Sequence, residues 1–140
     1  MSQYLKELAS KLYEEAKDRG WFKNHPQGGK VAQNLVPDSD NANEAWDSVD
    51  FEVPRFGSKL NSEVAEFWEA YRTTMLHQPC DKSFPDGTHT GLTCAEEELA
   101  DMFIVVMEMA GFLGIDVDRA VKIKSEYNKT REKNHGNKRA

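Results

Sequence analysis

The chain has 140 residues, 39% hydrophobic and 30% charged, and carries a formal net charge of −6. That size and composition fit a single soluble globular domain spanning residues 1–140. No apolar run reaches the roughly 18 residues of a membrane span, and an acidic body is a poor surface for duplex nucleic acid.

In chain order, Leu5, Leu8, Leu12 and Ala16 recur at helical spacing and predict a first helix over 3–19. Its start, Met1-Ser2-Gln3-Tyr4-Leu5-Lys6-Glu7, lacks the continuous apolar stretch of a signal peptide. Gly20 is a plausible helix stop, and Trp21 and Phe22 follow at once. Residues 23–54 are rich in Asn, Asp, Gly and Pro, and read as an irregular insertion with at most a helical turn near Asn43–Val49. Leu60, Val64, Phe67 (or Trp68) and Tyr71 predict a second helix over 55–76.

Residues 77–92 form a second loop, with Pro79, Pro85 and Asp86-Gly87 as turn chemistry. Thr93-Cys94-Ala95-Glu96 is a capping box that opens a third helix running to Leu113 and stopping at Gly114. This helix is apolar over much of its circumference, which places it centrally or in an interface. Asp116 caps a fourth helix over 117–133, and 134–140 read as a frayed tail. The expected fold is all-α, a four-helix-type bundle with long irregular loops.

Two pairs of acids carry the chemistry. Glu63/Glu66 and Glu98/Asp101 each sit at i, i+3, so each pair points to one side of its helix, beside the apolar stripe. Solvated glutamates are the plain reading of one such pair, and a second pair shifts the balance toward a site. Four carboxylates gathered near an apolar core repel one another and resist desolvation, and a divalent cation relieves both costs. Hard oxygen donors suit Mg²⁺, with Mn²⁺ as a substitute.

On the fourth helix, Lys124, Asn128 and Arg131 are spaced i, i+4, i+7 and share a face, with Tyr127 beside them. An ammonium, an amide and a guanidinium in a row suit a phosphate chain. From Arg119 to Ala140 there are eight Lys/Arg against two Glu, so the chain ends basic while its body is acidic.

The segments Leu60-Asn61-Ser62-Glu63-Val64-Ala65-Glu66, Glu97-Glu98-Leu99-Ala100-Asp101, Gly114-Ile115-Asp116 and Lys124-Ser125-Glu126-Tyr127-Asn128-Lys129-Thr130-Arg131 resemble the MazG-like nucleotide pyrophosphohydrolases of the all-α NTP pyrophosphatase superfamily. The resemblance covers roughly residues 3–22 and 56–136. It implies that Glu63, Glu66, Glu98 and Asp101 are Mg²⁺ ligands and catalytic residues, and that Lys124, Asn128 and Arg131 hold a triphosphate. It implies cleavage of a (deoxy)nucleoside triphosphate to monophosphate and pyrophosphate by a metal-activated water. It also implies assembly as a homodimer or homotetramer. Trp21, Phe22, Tyr127 or Trp68 would border the base or the phosphates. The family usually shows a glutamate doublet where Ser62 precedes Glu63 here, which bears on the number of metals.

Other readings compete. A non-catalytic helical module that binds a nucleotide or a protein is the alternative to an enzyme. His77, Cys80, His89 and Cys94 offer soft ligands at zinc-like spacing, against the plainer reading of loop residues. Glu132 and His135 make one half of a di-iron pair without a second half. Two cysteines are too few for a disulfide scaffold and read as free thiols in the cytoplasm.

Overall fold

A computed structural model describes residues 3–23 and 40–131, with 40–48 as helical backbone only. Among the described residues there are four helices: α1 (Tyr4–Asp18), α2 (Asp40–Arg72), α3 (Cys94–Leu113) and α4 (Val117–Thr130). The fold is all-α. Helix α3 is central, packed on α1 and on α2, and α4 packs on α1. No described helix is long and apolar enough to cross a membrane.

The caps of α3 form as local chemistry dictates. Thr93 Oγ1 accepts from the Glu96 amide at 3.2 Å, and the Glu96 carboxylate accepts from the Thr93 amide at 2.8 Å. At the other end Gly114 takes a left-handed φ of 69°, and the Ile115 amide donates to Ala110 O at 2.9 Å. Asp116 caps α4 by accepting from the Arg119 amide at 3.1 Å.

The core joins Tyr13 and Ala16 of α1, Phe56 of α2, Val105 and Phe112 of α3, and Phe22 after α1. Phe22 stacks on Phe56 with centroids 4.9 Å apart and on Phe112 at 5.0 Å, while Tyr13 meets it edge-on. It adopts a φ of 60°, a left-handed conformation costly for a side chain of this size. Burying the ring, worth about 1.5–3 kcal/mol, offsets that cost. A second patch joins Ala9, Met107 and Ala110. Here α1 and α3 approach closely, because a Cβ on Gly111 would stand 2.5 Å from both Ala9 O and Tyr13 Cβ.

Helix α4 is tied to the start of α1. Gln3 makes no side-chain cap there. Instead the Asp118 carboxylate accepts from the amides of Leu5 at 3.2 Å and Lys6 at 2.8 Å, using donors that a helix start leaves unpaired.

Three expected boundaries are corrected: α2 ends at Arg72 rather than 76, α4 ends at Thr130 rather than 133, and the start of α2 moves most. The sequence placed 23–54 in an irregular segment and began the second helix at 55, yet α2 is already helical from Asp40 and runs through Pro54. A proline inside a helix removes one hydrogen bond and costs about 3 kcal/mol. Val49, Val53 and Leu60 pack on the core on either side of it, around the buried Phe56, and hold the helix through the break. Residues 24–39, the 134–140 tail and the Glu132/His135 pair lie outside the described residues.

Candidate metal centre

Helices α2 and α3 bring three of the four predicted acids together, with Asp101 outside the converging group. One carboxylate oxygen from each of Glu63, Glu66 and Glu98 lies within 4.8 Å of the others. Glu63 and Glu98 are half-buried and Glu66 is exposed, so the group opens to solvent on one side. Among the described residues this is the one group of three or more such side chains whose ligand atoms converge.

The electrostatics record the crowding. Burial first, then the charges of Glu66, Glu97, Asp101 and Glu63, push the Glu98 carboxyl up to about 7. Burial and the charges of Asp101 and Glu66 likewise raise Glu63. Asp101 is half-buried and also raised, by burial and then by Glu97 and Glu66, against the pull of Lys59 and Lys82. Glu98 Oε2 is buried and has no hydrogen-bond partner. A hard, all-oxygen donor set with a repelling, partly orphaned carboxylate fits a divalent cation, which these residues can coordinate.

Other residues surround the cluster that the sequence did not single out. Glu97 lies one turn before Asp101 on the same side of α3, with its side chain 12% exposed. Lys82, from the α2–α3 connection, stands 3.3 Å from it. Lys59 is one turn before Glu63 on α2. Its Nζ lies 4.6 Å from the Trp21 ring centroid, and its charge lowers Glu63, Asp101 and Glu108. Helical spacing from Glu63 and from Asp101 was the available signal for Lys59 and Glu97. Farther along α3, Glu108 is 1% exposed and paired with Arg19 at 3.1 Å.

Ser62 Oγ donates back to Ser58 O at 3.2 Å along its own helix. Lys124 and Asn128 are exposed on α4, the helix that packs on α1, and Lys124 Nζ lies 4.7 Å from the Tyr127 ring centroid. Arg131 is the C-cap, with ψ of 139°, so the row leaves helical register at its third member. Trp21 is half-buried, with the Arg55 guanidinium 4.5 Å from its ring centroid. Phe22 is 2% exposed and supports the core. Trp68 is half exposed on α2.

The soft-ligand loop does not gather as a metal site. His89 Nδ1 accepts from the Gly91 amide at 2.8 Å, which leaves Nε2–H to donate to Cys80 O at 2.7 Å. Both ring nitrogens therefore serve the backbone. Cys80 and Cys94 are free thiols. No family model, no curated protein and no solved structure matches the chain.

Proposed function

We propose that this protein is a divalent-cation-dependent nucleoside triphosphate pyrophosphohydrolase, as its resemblance to MazG-like enzymes implies. The observation that supports it most is the convergence of Glu63, Glu66 and Glu98 at the α2–α3 seam. Glu63, Glu66, Glu98 and Asp101 would hold Mg²⁺, or Mn²⁺ in its place. The bound ion supplies charge neutralisation for phosphate oxygens and a more acidic water.

The chain's own groups do the rest. Glu66, the exposed member of the trio, is assigned in this reading the role of taking a proton from the attacking water. The water oxygen bonds to phosphorus, the bond between the α and β phosphates breaks, and pyrophosphate leaves. Lys124, Asn128 and Arg131, with Tyr127, are the triphosphate-binding residues in this reading; Trp68 and Trp21 would border the base, although Arg55 and Lys59 already stand over the Trp21 ring. Phe22 would act through the core that supports Trp21.

The proposed assembly is a homodimer or homotetramer. Leu99, Phe103 and Val106, at i, i+4, i+7 on α3, are 54%, 46% and 46% exposed, an apolar stripe that a second copy would cover. The site is proposed to act in the cytoplasm on free nucleotides, with no nucleic acid or membrane involved.

The test is a panel of ribo- and deoxyribonucleoside triphosphates incubated with Mg²⁺ or Mn²⁺, with products resolved by chromatography. Monophosphate and pyrophosphate in equal amounts support the reading. Orthophosphate release, or turnover unchanged in Glu98→Gln, contradicts it. Binding without turnover favours the non-catalytic module.

A further inference from the structure

The connection between α2 and α3 is a built hairpin. Isolated bridges pair Pro79 with Thr93 and Ser83 with His89. The Phe84 amide donates to Thr88 O at 2.8 Å, the Gly87 amide donates to Phe84 O at 2.8 Å, and the Asp86 carboxylate accepts from the Thr88 amide, closing the tip. Cys80 is buried at its base, where its amide donates to Leu92 O at 2.9 Å and its carbonyl accepts from His89. The Thr90 amide donates to Lys82 O at 3.2 Å, so the backbone that carries Lys82 is fixed.

This frame delivers one cation to the edge of the carboxylate cluster. Lys82 Nζ stands 2.7 Å from Asp81 Oδ1 and 3.3 Å from Glu97 Oε1, and 59% of its side chain stays exposed. Glu97 adjoins Glu98 and shares a side of α3 with Asp101. A surface ion pair contributes only about 0–1 kcal/mol, so anchoring an already hydrogen-bonded hairpin is a weak reason for the arrangement. An exposed ammonium beside a cation site has a stronger use: it meets the anionic ligand that the bound cation draws in.

We propose that Lys82 is a polyphosphate-binding residue of the carboxylate site. Its ammonium donates to phosphate oxygens of a ligand bound through the divalent cation, and Glu97 holds it in place until the ligand arrives. The inference rests on the reading of the site as one for nucleoside triphosphates, but it concerns phosphate binding rather than turnover.

The test is calorimetric titration of inorganic triphosphate into the full chain loaded with Mn²⁺. Lys82→Gln is expected to bind triphosphate about tenfold more weakly, the contribution of one charge-assisted hydrogen bond, with Mn²⁺ affinity in the absence of triphosphate undiminished, since the lost positive charge opposed the cation. Lys82→Arg keeps most of the affinity. Glu97→Gln binds triphosphate as tightly as the wild type or more tightly, because it removes a repelling acid and frees the lysine. A lysine that only anchors the hairpin would give Lys82→Gln and Glu97→Gln the same loss. That parallel loss, an unchanged Lys82→Gln, or a wild type that binds no triphosphate overturns the proposal. Lys82-dependent binding without nucleotide cleavage would sustain it while removing the pyrophosphohydrolase reading. Cleavage with unaltered binding in Lys82→Gln would do the reverse.

Discussion

A carboxylate oxygen of Glu66 on α2 and one of Glu98 on α3 lie within 4.8 Å of each other across the seam of the two helices. Like charges at that distance, one of them half-buried, make the ionised cluster costly to the fold.

The sign of the resulting pH dependence follows from Glu98, whose carboxyl is pushed up to about 7 from an ordinary 4.5. Between those values the folded chain holds more proton than the unfolded one, so stability falls as pH rises through the window. In EDTA the thermal midpoint is expected to drop by several degrees from roughly pH 5 to pH 8. Mg²⁺ added at pH 8 restores it, and Glu98→Gln flattens the profile. A midpoint that rises across this range contradicts the crowding.

Gly111→Ala tests the α1–α3 contact. The added methyl meets Ala9 O and Tyr13 Cβ at 2.5 Å, and both belong to packed α1. The helices must separate, at a cost of about 1–3 kcal/mol or more, read from chemical denaturation. A neutral result would show that the helices do not approach this closely.

Arg19 is the ion-pair partner of Glu108, which is 1% exposed and raised by burial against the pull of Lys59 and Arg19. Arg19→Ala is expected to cost about 1–3 kcal/mol near pH 7. The loss shrinks as pH is lowered and the buried carboxyl, raised above its ordinary range, takes up its proton. A loss that does not change with pH would place the effect in packing rather than charge.

Asp118→Ala removes the acceptor of the Leu5 and Lys6 amides. By analogy with an N-cap, the expected loss is about 1 kcal/mol, with Asp118→Asn milder. Hydrogen exchange should speed up in the first turn of α1 and leave α2 and α3 unchanged.

What the sequence disclosed was local. Thr93, Glu96, Gly114 and Asp116 mark their helix ends by chemistry within one turn, and they appear where expected. The acid pairs were visible because i, i+3 spacing on a helix is a fixed direction. The start of α2 was not, because Pro54 and the polar stretch before it suggest a break, whereas Val49, Val53, Phe56 and Leu60 keep helical spacing across it. Lys82 was hidden for another reason: its place beside Glu97 depends on a hairpin that brings residues 15 apart together. The burial of Phe22 likewise needs rings from three separate segments.

The central claim is that the α2–α3 carboxylates hold a divalent cation, and Mn²⁺ titration followed by electron paramagnetic resonance at pH 7.5 tests it most directly. Saturable, stoichiometric binding is expected of the wild type, lost in Glu98→Gln and strongly weakened in Glu63→Gln. A wild type that leaves Mn²⁺ free in solution, or equal binding in all three proteins, contradicts it.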